Sequence, residues 1–227
     1  MAGGKVFCIG NGESREGFDL ETLRPHGTIY GCNAIYRDFM PDVLTAVDHG
    51  IMHEIYHAGV AQKIPCYFRD WTKVPAMTYE PMLMGGITNL EEAKDALDKV
   101  LITNKQEDSK EYVMHGSKLS GVIDLIKREP DRFKNDIIKL QKKEINHSTI
   151  KVSWIKEPDY SHSLTDICVE NNGKGERRDF GWACGASAGY VAIHREQPKE
   201  IYLIGHDINS TNNHINNLYK STPNYTA

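Results

Sequence analysis

Short apolar runs, each stopped by a turn, fill the first seventy residues. Lys5-Val6-Phe7-Cys8-Ile9 stops at Gly10-Asn11-Gly12, and Thr28-Ile29-Tyr30-Gly31-Cys32 stops at Asn33. Val43-Leu44-Thr45-Ala46-Val47 stops at Asp48-His49-Gly50, and Pro65-Cys66-Tyr67-Phe68-Arg69 is a fourth run. Runs that are continuous rather than alternating predict strands buried on both faces, the habit of a parallel sheet covered by helices. Ile51 to His57 predicts the start of one such helix. Towards the other end, Ile150 to Ile155 alternates like a strand, and the Asn- and Gly-rich stretch from Asn171 to Asp179 predicts a loop. Gly185 to Ile193 predicts a helix that starts in small residues. Lys199-Glu200-Ile201-Tyr202-Leu203-Ile204-Gly205 is the strongest strand pattern in the chain, and the segment from Asn209 to Ala227 is polar without a core pattern.

The middle has a different period. Thr88-Asn89-Leu90-Glu91 fits a capping box, and Leu90, Ala93, Leu97, Val100 and Leu101 then fall on one helical face. Ser117 and Asp131 can cap two further helices, with Leu119, Val122, Ile123 and Ile126 inward on one and Phe133, Ile137 and Leu140 on the other. Glu111-Tyr112-Val113-Met114-His115 between them reads as another strand. The expected architecture is α/β: residues 1–227 form a single Rossmann-like domain, a mostly parallel sheet with helices on both faces, and residues 86–148 form a helical insertion or lid.

Composition narrows the partners. The 227 residues carry 40 % hydrophobic and 26 % charged side chains, enough for a sizeable core. A net charge of −4 gives no bulk attraction to nucleic acid or to an anionic membrane, and no apolar stretch long enough to span a bilayer occurs. Five scattered cysteines, with no C-x-x-C pair, read as buried free thiols and point to a cytoplasmic location.

Candidate chemistry gathers at the strand ends. In an open parallel sheet all strand carboxyl ends share one edge, where ligands bind at the topological switch point. Gly10, Asn11, Gly12 and Ser14 follow the first strand; their glycines allow close backbone approach and their amides can hold an anion, although the same residues make an ordinary turn. Arg15 stands where the dinucleotide fingerprint G-x-G-x-x-G needs its third glycine. Asn33 follows the second strand with an amide suited to a base edge or ribose, or to stabilising its own turn. Asp48 and Asp207 end two more strands and can hold sugar hydroxyls or Mg²⁺, or cap a helix. Gly185 and Ser187 open a helix whose N-terminus attracts phosphate, and small residues there also ease helix–sheet packing. His206 and His214 are the candidate general bases. A rival lies in His53-Glu54-Ile55-Tyr56-His57, which matches the zinc-protease pattern H-E-x-x-H, although Gly59 interrupts the helix soon after.

The order strand-Gly-Asn-Gly-x-Ser, strand-Cys-Asn-x-x-Tyr, strand-Asp, Ser/Gly-rich helix start, then Glu-Ile-Tyr-Leu-Ile-Gly-x-Asp resembles two related groups. These are the bacterial CMP-sialic-acid sialyltransferases (glycosyltransferase family 42) and the 6-hydroxymethylpterin diphosphokinase-like (MptE-like) proteins. The likeness covers roughly residues 5–50 and 182–208, and the chain looks like a bacteriophage-encoded member. The resemblance implies a nucleotide or nucleotide-sugar ligand, CMP-type favoured, held by Gly10, Asn11, Gly12 and Asn33, with the Gly185–Ser187 stretch near the phosphate. It implies glycosyl transfer to a hydroxyl acceptor with inversion, without a required metal, using a His base and tyrosines on the departing phosphate. Mg²⁺ enters only under the ATP-dependent diphosphokinase alternative, held between Asp48 and Asp207. The tyrosine expected just after Gly-x-Asp is replaced by Ile208 and Asn209, leaving Tyr219 and Tyr225 further on. A third alternative is a non-catalytic viral structural or interaction module with a degenerate nucleotide site.

Overall fold

The computed structural model describes residues 4–76, 100–105, 108–115, 150–171, 177–179, 181–208 and 216–225. The chain divides into two compact units, Met1–Arg69 with Tyr160–Ala227, and Asp70–Asp159. The second is wider than the 86–148 insertion expected within one domain.

The first unit is built on six strands, β1 (Lys5–Ile9), β2 (Gly27–Cys32), β3 (Val43–Ala46), β4 (Cys66–Phe68), β9 (Ser161–Ser163) and β12 (Glu200–Ile204). They form one sheet in the order β12-β1-β2-β3-β4-β9, and every neighbouring pair is parallel. This is the α/β sheet that the apolar runs predict. The two α-helices in this unit among the described residues are α1 (His49–His57) and α2 (Cys184–Glu196). Helix α2 lies on the face that carries Val6, Cys8, Tyr30 and Val43, where its Val191 and Ala192 join the core. The alternate residues Phe7, Ile9, Ile29, Leu44 and Ala46 are buried as well, so both faces are covered. Continuous apolar runs are therefore required in the inner strands. The chain starts in β1, crosses strand by strand to β9, then returns to place β12 on the other side of β1. The switch point falls between β1 and β12.

Strand β9 was not legible, because Ser161-His162-Ser163 has no apolar residue, yet Ser161 and Ser163 are buried beside β4. The stretch read as a loop from Asn171 to Asp179 contributes one end of a two-stranded antiparallel ribbon, β10 (Val169–Asn171) with β11 (Arg177–Asp179).

The second unit holds a sheet of β5 (Val74–Pro75), β6 (Val100–Ile102), β7 (Glu111–His115) and β8 (Ile150–Trp154), ordered β5-β7-β8-β6. The strand expected at Glu111–His115 is present. Val100 and Leu101, assigned to a helical face, are instead strand residues paired parallel to Ile150 and Lys151. A run of Val-Leu-Ile suits either element, and pairing with a neighbouring strand overrides the local period. The three expected helices otherwise lie outside the described residues, so the described part of this unit is a sheet rather than a helical lid. Among the described residues no helix is long and apolar enough to cross a membrane.

Candidate functional site

The parallel topology brings the ends of β1, β2, β3 and β12 to one edge, so residues separated by almost the whole chain meet there. Gly10 N donates to Ile204 O at 2.8 Å and Gly12 N to Gly205 O at 2.9 Å. The Asp207 carboxylate accepts from Ser14 N at 2.8 Å and from the Ser14 hydroxyl. Those two bonds draw its pKa below the usual carboxylate value. A side chain at Gly10 would overlap the Gly205 carbonyl, and one at Gly12 would overlap the Asp207 carboxyl group. The glycines therefore serve the close approach of the chain that follows β12. Of the amides expected to hold an anion, those of Gly10, Gly12 and Ser14 are thus engaged, and their neighbours are as well: Glu13 N reaches Asn216 Oδ1 at 2.9 Å and Arg15 N reaches Gly12 O at 3.3 Å. Asn11 is likewise structural, its Nδ2 donating to Cys32 O at 2.9 Å across the β1–β2 ends.

The unused polar atoms lie one strand further along. Asn33, directly after β2, sits at φ 52°, a left-handed conformation that Asn tolerates better than most side chains. Its Oδ1 is buried without a hydrogen-bond partner. Its backbone N–H points at the Cys184 thiol, in the first residue of α2. Cys184 also bonds β3, its Sγ donating to Thr45 O at 3.1 Å, and burial pushes this thiol well above its usual pKa. Ser187, three residues on, is 1 % exposed, and its Oγ has no partner either. The preceding amides of α2 have no capping side chain. Asp48 stands exposed at the N-cap of α1 with no side-chain cap bond. Gly185 packs against the ring of His206. His206 Nε2 lies 3.1 Å from Cys8 O. A carbonyl only accepts, so this bond puts the proton on Nε2 and leaves Nδ1 as the basic nitrogen. His214 lies outside the described residues.

The sequence marks Arg15 only as a break in the glycine fingerprint, and Tyr219 and Tyr225 only as tyrosines further along than the resemblance expects; the structure gives all three a place at the site. Arg15 is 7 % exposed and donates to Gly10 O (2.8 Å), Asn11 Oδ1 (3.3 Å) and Tyr219 OH (3.1 Å). Its bonds all go to neutral oxygens, so its full positive charge is available behind the site. The residue that breaks the glycine fingerprint is thus the one that supplies charge. Tyr219 and Tyr225 belong to the segment 216–225, which folds back onto the strand ends. Leu218 N donates to Asn11 O at 2.9 Å, and Arg37 donates to Thr222 Oγ1 at 2.8 Å and Pro223 O at 3.1 Å. Burial raises the Tyr225 phenol; the Ala34 amide faces it, and the Cys184 and Cys32 thiols lie close enough to act on it. Its hydroxyl is buried, and the Ala34 backbone N–H is the donor that faces it. Nothing in the polar composition of 209–227 marks these tyrosines as inward-facing.

The zinc-protease rival fails on its glutamate. Glu54 accepts from Tyr36 OH at 2.6 Å, from Arg37 Nε at 3.0 Å and from Asn224 Nδ2 at 2.5 Å. Burial pushes its pKa up, but these donors outweigh it and hold the carboxyl below the usual value. Among the described residues no group of three or more His, Cys, Asp or Glu side chains is placed to hold a metal ion. All five cysteines are free and buried, as their scatter predicts.

No family model matches the chain, and no match was found among curated proteins or solved structures.

Proposed function

We propose that this chain is a nucleotide-binding transferase that moves a glycosyl group from a CMP-type donor to a hydroxyl acceptor. One observation carries the reading. Asn33 Oδ1 and Ser187 Oγ are buried oxygens without partners, on elements that meet at Cys184, and the Tyr225 hydroxyl, faced by the Ala34 amide, lies close to the same thiol. A buried polar atom left unpaired costs about 1–3 kcal/mol, so two beside the start of α2 favour a polar ligand that completes them. Asn33 accepts from an exocyclic amine or a ribose hydroxyl, and Ser187 and the α2 amides donate to phosphate. The Arg15 charge favours the phosphate through the turn.

In this reading Nδ1 of His206 takes the proton of the acceptor hydroxyl as its oxygen attacks the anomeric carbon. The bond from that carbon to the phosphate oxygen breaks, and its electron pair leaves with the nucleotide. Donors already fixed at the phosphate offset the charge that develops there. Exposed Asp48 is left to receive hydroxyls of the sugar. The diphosphokinase alternative draws on less of the site, since the Asp207 carboxylate is already held by Ser14.

Titration calorimetry with CMP, UDP, GDP and ATP tests the proposal. CMP is expected to bind most tightly, and Asn33→Ala to weaken it. His206→Gln is expected to abolish transfer while leaving CMP affinity intact. Absence of binding by all four nucleotides at millimolar concentration overturns the reading.

A further inference from the structure

We infer that the outer edge of β12 is a homodimer interface, on which β12 of a second copy pairs antiparallel about a two-fold axis through Tyr202. The inference is independent of what the sheet edge around Asn33 and Ser187 binds. Strand β12 ends the sheet, and among the described residues no strand pairs with its outer edge. Ile204 O accepts from Gly10 N, so Ile204 turns its backbone groups to β1, as Tyr202 and Glu200 do by alternation. Ile201 and Leu203 therefore present two N–H and two C=O groups outward. Their side chains share the α2 face with Val6 and Cys8, to which they are in register, yet they are 37 % and 60 % exposed. On the opposite face Tyr202, stacked on Phe7 at 5.2 Å, is 39 % exposed. Edge strands are ordinarily blunted by lysine, proline or a bulge. Residues 201–204 are Ile-Tyr-Leu-Ile and carry none of these.

The choice of a second copy, and of its register, follows from the placement of charge. With Tyr202 on the axis, Ile201 lies opposite Leu203 of the second copy and the reverse, and each pair exchanges two backbone hydrogen bonds. Glu200 then faces Ile204, and the two Glu200 carboxylates stay well apart. Each Glu200 is already paired within its own chain, with Lys5 Nζ at 3.4 Å and with the Tyr202 hydroxyl. An axis through Glu200 would set the two carboxylates face to face, which is destabilising. The edge is thus self-complementary in one register and self-repelling in a neighbouring one.

Light scattering on the full chain, with disulfide trapping, tests this. The expected mass is about twice 25.7 kDa, falling to the monomer value in Leu203→Lys with an unchanged circular dichroism spectrum. Tyr202→Cys is expected to give a covalent dimer with diamide, because directly opposed non-hydrogen-bonded residues have Cα atoms about 4.5 Å apart, within disulfide range. Glu200→Cys is expected not to. A monomer at about 100 µM, where any dimer of micromolar Kd is formed, a dimer untouched by Leu203→Lys, or equal trapping at both positions overturns the proposal.

Discussion

Replacing Ser187 by alanine separates stability from binding in one step. The hydroxyl is 1 % exposed and has no hydrogen-bond partner, so the free protein carries a desolvated donor and acceptor. Such a group costs about 1–3 kcal/mol. Its removal forfeits only the dispersion contacts of one oxygen, at about 0.1–0.2 kcal/mol each, and alanine is slightly the better helix former. Ser187→Ala is therefore expected to stabilise the unliganded protein by about 1–2 kcal/mol. At about 2–4 °C per kcal/mol for a chain of this size, the melting midpoint rises by roughly 2–8 °C. The same change removes a donor to the phosphate, a charged hydrogen bond of about 1.5–3 kcal/mol, so CMP binding weakens roughly ten- to a hundredfold. Urea unfolding followed by circular dichroism reads the first effect, with amide exchange in α2 as a local measure, and calorimetry reads the second. A loss of 1 kcal/mol or more in the free protein, on the scale of a broken hydrogen bond, would show that the hydroxyl has a partner and remove the basis of the argument. An unchanged CMP affinity would place the hydroxyl outside the site.

The two turn glycines are expected to differ. Gly10→Ala drives a methyl into a backbone carbonyl that cannot retreat and costs about 2–3 kcal/mol or more, whereas Gly12→Ala meets the swinging end of Asp207 and costs about 1 kcal/mol; urea midpoints in the reverse order refute this. Glu54 has a folded-state pKa below its ordinary 4.5, so the stability it contributes is present above that pH and fades as pH falls through the lower folded value. The gap in unfolding free energy between wild type and Glu54→Gln should therefore be constant from pH 7 to about 5 and shrink below about 4.5; a gap that stays constant to pH 3 contradicts the assignment. Burial pushes the Cys8 thiol up to about 12 and all five thiols are buried, so an aromatic disulfide reagent should find none in the native protein and five in denaturant.

The sheet was legible where burial on both faces forces continuous apolar runs. Lys5–Ile9 and Glu111–His115 have the expected bounds, and β2, β3, β4 and β8 shift by a residue or so at one or both ends. What eluded the sequence was held by tertiary contact alone. Ser161-His162-Ser163 becomes a strand because β4 offers it an edge, and Val100–Ile102 leaves a helical period because β8 does the same. The meeting of Gly12 with Asp207, and of Asn33 with the start of α2, was implied by parallel topology once the strands were placed. The division of labour at that edge was not implied. A glycine that admits a ligand and a glycine that admits another strand look identical in one dimension, and so do a free carboxylate and one that holds Ser14. Arg15 was conspicuous only as a broken motif, and no local pattern announces that Tyr225 turns inward from a polar segment.

The position of β1 beside β12 has a consequence for synthesis. Strand β1 acquires its neighbour on that side only after about 190 further residues have been made, roughly 10–40 s at ordinary elongation rates. Until then the backbone edge of Val6 and Cys8 that later bonds Glu200, Tyr202 and Ile204 is bare. A nascent chain in that interval is a natural client for a chaperone that covers strand edges, and slowing translation ahead of Glu200 should lower the soluble yield while leaving the finished protein unchanged.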